Sequence, residues 1–473
     1  MADAPLNLGL GSNIGLDGQV SNVRHINCYV EDAGTDAKGR FVIHASPGLN
    51  RFDDGTYTGI SRGLIQLNDN ALIGFLGNEV ASFDTGGVSS TLGTLVGSGR
   101  VFLARNRNAA PQIAVITNSG QYHILQSGAI SQINDADLPV PNSVTYLKGF
   151  FLFSIADGRI FQSDLDASNV SSLAFDSANS RSEGLVRVFG HGGFLYAFGK
   201  KTTEIWQPDP SLASEPFVFS PVQQDIEFGC IAPHSVAQVG TSMAWVDDDG
   251  IVRHGRDGSA VRISNHGVER AIQDLSPLNR SLIAGRAWFH QGHEFYTLFS
   301  SAWTWEFDVL TGQWHERQSY GSDTWRINDI VAFNGAYIGS SSTNGELFEI
   351  SATAFDEDGD LFVMDIRAPT VHTFPHGYIA DSLEVDAIMG VGLNSLSDHE
   401  NNPLLMVDYS DDGGKNFTGE RTATLGQLGK YKNKIKMNKW GEVREGGRQW
   451  RLRASPAVLR GIISASLSVR PTR

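Results

Sequence analysis

Seven apolar hairpins recur along the chain at intervals of 37 to 50 residues, and no other feature restricts the fold as strongly. They begin at Asn70, Pro111, Lys148, His191, Gly240, His290 and Phe333. Each has the same grammar: an apolar strand, a turn of Asp, Gly or small residues, then a strand that ends polar. Lys148-GFFLFSIADGRIFQSD is representative. A repeat of roughly 40–50 residues with two to four strands per unit is the signature of blades stacked round an axis. The reason is burial: one such unit cannot cover both its faces, whereas a closed ring of them can. The repeat therefore predicts an all-β chain with a β-propeller of six or seven blades over residues 61–355. A ring needs closure, and the residues before Asn70 are expected to supply the closing strand.

The period is lost after Phe355. Strands are predicted at Leu361–Arg367, Ser382–Met389, Leu404–Ser410, Lys432–Met437, Trp450–Ala454 and Ile462–Val469, without the blade spacing. They read as a C-terminal β-sandwich over residues 356–473. Residues 391–402 read as a surface loop, and residues 1–60 as strands that pack on one or both domains. Helical periodicity occurs once, where Val268, Ala271, Ile272 and Leu275 share a face behind the N-cap candidates Ser264 and Asn265, with Pro277 as terminator.

Composition agrees with many short strands: 52 of 473 residues are Gly, and Ser, Asn and Asp are abundant. With 41% hydrophobic and 19% charged residues the chain is not disordered. Cys28 and Cys230 have no CxxC or CxxH companion, which argues against a disulfide scaffold and fits synthesis in a reducing cytosol. No apolar run approaches a membrane span, and Met1-Ala-Asp-Ala-Pro has no signal-peptide pattern. Charge is uneven. Residues 403–473 hold 14 Lys and Arg against 6 Asp and Glu, while the other 402 residues hold 23 against 46. The acidic body repels nucleic-acid phosphates; the basic end could attract DNA, dock on an acidic neighbour or face solvent.

Few motifs point to chemistry. Ser410, Asp412, Gly414 and Phe417 have Asp-box spacing, in which the carboxylate accepts turn amides and the aromatic packs beneath. Such boxes recur in sialidase propellers, so a glycan-binding or glycan-cleaving propeller is the alternative; the box occurs once here and is read as a folding device. Asp356, Asp358 and Asp360 resemble the start of a calcium loop, but Gly359 and Arg367 fall where an EF-hand needs other spacing and a Glu. Asp247-Asp-Asp-Gly has the same turn shape. Gly193 and Gly199 are one residue too far apart for a phosphate loop. His290 and His293 lack a third metal ligand. Trp288, Trp303, Trp305, Trp314 and Trp325 could form a sugar platform, but read better as inter-blade core or subunit contact. No catalytic, cofactor or metal residues are assigned.

Several segments in order resemble the tail hub, or nozzle, proteins of short-tailed bacteriophages, also called packaged-DNA stabilisation proteins. They are Asn27-Cys-Tyr-Val-Glu31, Ser46-Pro-Gly-Leu49, Ser61-Arg-Gly63, Gly97-Ser-Gly-Arg100 and Val268-Glu-Arg-Ala-Ile272. The C-terminal run continues the order with Ser410-Asp-Asp-Gly-Gly414, Leu425-Gly-Gln-Leu-Gly-Lys-Tyr431, Trp440-Gly-Glu-Val-Arg444, Trp450-Arg-Leu-Arg453 and Ser455-Pro456. Family members often carry Arg and Val or Ile where this chain has Lys434 and Lys436.

The resemblance implies a non-enzymatic protein of the virion tail, assembled in the host cytoplasm. A homohexamer ring below the portal–adaptor complex would prolong the DNA channel and retain packaged DNA. It would dock tail fibres or spikes and a terminal plug or needle. DNA would pass an acidic lumen without sequence-specific binding, and no membrane or cofactor is involved. Lys432, Lys434, Lys436, Lys439 and Arg444 are the candidate residues for docking on a neighbour.

Overall fold

The computed structural model describes residues 2–35, 38–178, 183–222, 224–395 and 397–472. Strands dominate, at 51% against 5% helix. Seven blades surround one axis. Blade 1 comprises Ser61–Asn68, Ala71–Leu76, Glu79–Phe83 and Ser89–Thr94. Blades 2 to 6 repeat this four-strand antiparallel pattern, their inner strands being Phe102–Arg105, Pro141–Leu147, Leu185–His191, Ala237–Val239 and Ala284–His290. Most middle strands are buried, as in Ile113–Ile116, because a neighbouring blade covers each face. Outer strands such as Ala129–Gln132 are largely exposed.

Blade 7 is composite. Ile327–Phe333, Ala336–Ser341 and Leu347–Ser351 follow blade 6 in the chain, while the outer strand is Gly48–Arg51 from the N-terminal region. Ile350 lies opposite Leu49, and Phe348 opposite Arg51. Gly48 is required by close approach: a Cβ there would lie 2.2 Å from the Asp356 carbonyl oxygen and 2.7 Å from that of Ala354. The Gly48 and Leu49 amides donate to those same two residues' carbonyls. Seven apolar clusters sit one between each pair of adjacent blades, the last joining Phe333, Ile338 and Leu347 to Leu64, Leu72 and Phe83.

The remaining strands form a β-sandwich drawn from both ends of the chain. In one sheet Tyr378–Ala387 lies between Ile435–Val443 and Gly461–Pro471, which is extended by Phe41–Ala45, Cys28–Asp32 and Ala2–Leu6. The other runs Asn22–Ile26, Met364–Arg367, Gln449–Ala454, Leu404–Ser410, Thr418–Thr424. Met364, Ile366, Leu383, Trp440, Trp450 and Leu467 are among the residues that fill the space between. Ile26 also pairs in parallel with Glu316, so this sheet continues into blade 6.

Three local expectations are corrected. The helix His266–Gln273 is capped by the Asn265 side chain, which accepts the Val268 amide at 3.0 Å, but Pro277 does not end it. Pro277 opens a second short helix, Pro277–Ser281, where a missing N–H costs nothing. The loop over 391–402 contains a helical turn at Asp398–Asn401. The strand placed at Lys432–Met437 runs over Ile435–Val443, because its buried positions begin only at Ile435.

If closure by Gly48–Arg51 holds the ring, Leu49→Ala should act as a core truncation, since Leu49 is fully buried. The expected loss is about 2–5 kcal/mol in urea unfolding. A change under ~0.5 kcal/mol, as surface substitutions give, would contradict it.

Candidate interaction sites

The Asp-box turn forms the geometry its residues dictate. The Asp412 carboxylate accepts the Lys415 amide at 3.0 Å, the Asn416 amide at 2.9 Å and the Ser410 hydroxyl at 2.7 Å. These donors hold its pKa well below the ordinary carboxylate range, the Asn416 amide most of all. Gly413 and Gly414 take φ of 75° and 81°, which a side chain would strain. Phe417 lies under the Arg451 guanidinium, 3.9 Å from the ring centre, and Arg451 pairs with Asp408 at 2.8 Å. The turn leans on the N-terminal segment: a Cβ on Gly414 would meet Asn22, and Lys415 pairs with Asp17 at 3.7 Å.

The five basic docking candidates lie on or beside the edge strand Ile435–Val443, and all are exposed. They are not equivalent. Lys434 and Lys436 both bind Glu384 on the adjacent strand, at 2.8 and 2.6 Å, and hold its pKa below the ordinary range. Among the described residues Lys432, Lys439 and Arg444 pair with no carboxylate. Lys439 sits at φ 65° where the register shifts by a bulge. Lysines and a bulge on an edge strand also discourage indiscriminate strand pairing. Sequence reasoning missed Glu384, because nothing local marks a partner about 50 residues away as cross-strand.

It missed the junction as well. Arg317 is fully buried where blade 6 meets the sandwich: its guanidinium stacks 4.0 Å from Trp325, donates to the Pro47 carbonyl at 3.1 Å and lies 3.8 Å from Glu306. Arg460, equally buried, donates to the carbonyls of Phe362 at 2.5 Å and Phe355 at 2.9 Å. A lone Arg between Leu459 and Ile462 was the available signal, since such a residue is seldom buried without partners. Asn27, at φ 57°, donates to the carbonyls of Gln318 and Val363 at 2.8 and 2.9 Å.

Tyr29, beside it, is ringed by His44, His290, His293 and His315, with centroids 4.9 to 6.5 Å away. His293 binds Asp308 and His315 binds Glu306, each at 2.8 Å. Nearby His25 has neither ring nitrogen partnered. Burial pushes His25 down to about 3 and His290 to about 4, and lowers His44.

The remaining chemical candidates are engaged by neighbouring groups within the fold. Trp288, Trp305, Trp314 and Trp325 are buried in inter-blade clusters, and Trp288, Trp303, Trp314 and Trp325 each donate the indole N–H to a protein acceptor. Asp247 accepts the Asp249 and Ile251 amides and binds Arg253. In the Asp356–Asp360 turn, Glu357 takes the Trp325 indole at 2.8 Å. Among the described residues no cluster of three or more His, Cys, Asp or Glu can hold a metal ion. Nor is any helix among them long and apolar enough to cross a membrane.

Asp412→Ala leaves the turn amides without their acceptor and should cost about 1–2 kcal/mol in chemical denaturation; no measurable loss would contradict the assigned turn. The histidines give a pH prediction. Held neutral when folded, His25, His290 and His44 take up protons on unfolding below their ordinary value near 6.5. Stability is therefore full above about pH 6.5 and falls as pH drops toward 4. A melting temperature unchanged from pH 7.5 to pH 4.5 would contradict this.

The family models that match the chain agree with the architecture. Residues 29–354 match the family model described as bacteriophage P22 Gp10, beta-propeller, and residues 366–470 match bacteriophage P22 Gp10, beta-sandwich. No curated protein matches the chain. Similar solved structures include a catalytically inactive virginiamycin B lyase from Staphylococcus aureus with quinupristin. It is 10% identical, with 64% of this chain and 98% of that one covered and a TM-score of 0.45. The computationally designed Ika8 protein is 12% identical, covering 70% and 100%, with a TM-score of 0.39.

Proposed function

Because the chain belongs to the family of bacteriophage P22 Gp10, we propose that it is a structural subunit of the virion tail, the hub or nozzle through which DNA leaves. The observation that carries this reading is that both family models match in order, so propeller and sandwich are matched as a pair. A structural role also fits the fate of the chemical candidates. The indoles are used up in packing, the acidic clusters in turns and the Asp box in a hairpin. The subunit is therefore read as non-enzymatic, and the glycan-cleaving alternative is not favoured. Release of reducing sugar from a glycan panel by the purified chain would overturn that reading.

The finer proposal concerns assembly. The subunit forms a homohexamer ring that receives the adaptor ring on one side and fibres, spikes or a plug on others. An acidic body lets DNA slide without adhering, since each phosphate contact would add drag. The basic edge strand is the docking element toward an acidic neighbour. Lys432, Lys439 and Arg444 carry unspent charge, while Lys434 and Lys436 are partly committed to Glu384.

Lys432→Glu combined with Lys439→Glu and Arg444→Glu should weaken attachment to the adaptor ring or appendages in a salt-dependent way, while the subunit still folds. Reversing Lys434 and Lys436 should also disturb the sheet edge at Glu384. If the triple variant docks normally and loses only binding to naked DNA, the strand contacts DNA instead of a neighbouring protein.

A further inference from the structure

The face of the propeller on which the inner strands begin holds an unbalanced group of cations. Arg100 stands two residues before the inner strand of blade 2. Arg187 lies on that of blade 4 and Arg286 on that of blade 6, and His234 stands just ahead of blade 5. His234 stacks on Phe102, centroids 4.1 Å apart with 14° between the planes, and the Arg187 guanidinium lies 5.4 Å from the same ring. Arg286 pairs with Asp329 at 2.5 Å, and the other Asp329 oxygen accepts the Leu64 amide at 3.1 Å. Among the described residues no other carboxylate forms an ion pair with any of these arginines. Three guanidinium groups thus face one carboxylate.

Carbonyls satisfy part of this demand. Arg187 donates to Pro233 and Val236, and Arg100 to Asn328 at 2.5 Å. Dipoles do not cancel net charge, however. The shielded Nη1 of Arg100 and Nε of Arg187 have no acceptor. The loop that presents Arg100 is held in place, because Arg62 donates from Nε to the Gly99 carbonyl at 2.9 Å and its own carbonyl accepts the Val101 amide at 3.0 Å. Burial, with repulsion from Arg286, lowers Arg100 to about 10 and Arg187 to about 9, and burial with all three arginines pushes His234 well below its ordinary value. His234 is therefore neutral at pH 7 and can donate one hydrogen bond. In front lies a cavity of about 800 Å³ whose lining includes Arg100, Phe102, His234, Asn118 and Asn142, together with Arg159, whose charge is already met by Asp157 at 2.8 Å.

We propose that this axial cavity binds an oxyanion, a phosphate, sulfate or carboxylate group held by Arg100 and His234, with Arg187 and Arg286 supplying the field behind them. The argument is one of compensation. Uncompensated cations shielded from water are costly, and an oxyanion meets them with charge-assisted hydrogen bonds. The lining comes from several blades of one subunit and includes no residue of the docking strand, so the site does not depend on that strand.

The test is calorimetric titration of the full chain with sodium phosphate and, separately, sodium acetate, at constant ionic strength balanced with chloride. Saturable binding of either is expected, together with a rise in melting temperature. Phosphate alone binding identifies the phosphate or sulfate class, and acetate alone the carboxylate class. Arg100→Met, which keeps the aliphatic stem, should weaken binding at least about tenfold. If that variant fails to fold, Arg100→Lys, which keeps the charge and loses the fork, should still weaken it. The triple reversal at Lys432, Lys439 and Arg444 should bind as the wild type does. No saturable heat with either anion would overturn the proposal. So would a stabilisation that rises equally with every salt and is the same in the Arg100 variants.

Discussion

No blade of this propeller can bury both its faces alone, and everything else in the molecule follows from that constraint. Each of the seven apolar clusters is shared between two neighbours, so the ring is stable only when the seventh gap is shut. The strand that shuts it, Gly48–Arg51, arrives from the sandwich, and the chain returns to the sandwich after blade 7. The N-terminal strands and the C-terminal strands therefore share one core, while a short piece between them locks the other. Propeller closure and sandwich assembly are parts of one folding problem.

The junction shows how that problem is met electrostatically. Arg317 and Arg460 are buried cations whose donors point at carbonyls of the segments entering and leaving the propeller, at Pro47, Phe355 and Phe362. Arg317 also has Glu306 and the face of Trp325 beside it. Irregular backbone at a domain boundary leaves carbonyls that no ladder can satisfy, and a guanidinium offers five donors in a fixed fork to take them. Asn27 does the same with its amide on Gln318 and Val363.

The propeller was readable in the sequence because a blade's central hairpin is buried on both faces and so becomes a near-continuous apolar run. The helix at Val268 was readable through its period and the Asn265 cap. The sandwich was read less completely. Thr418–Thr424 is mostly exposed and shows no alternation, and Ala2–Leu6 and Asn13–Ile14 are defined by their partners rather than by their own residues. The candidate Asp box was readable because its chemistry is local. Glu384 beneath Lys434 and Lys436, and the convergence of Arg100, Arg187 and Arg286, depend on register and ring closure across long stretches of chain. In the sequence each is one charged residue with nothing local to mark its partner.

The most direct test of the structural reading is the native mass of the purified chain, measured alone and with its adaptor ring over a range of salt concentrations. A closed oligomer forming on the adaptor, with six copies as the expected number, is the predicted result. A chain that remains a monomer under every condition and never joins the adaptor would contradict it.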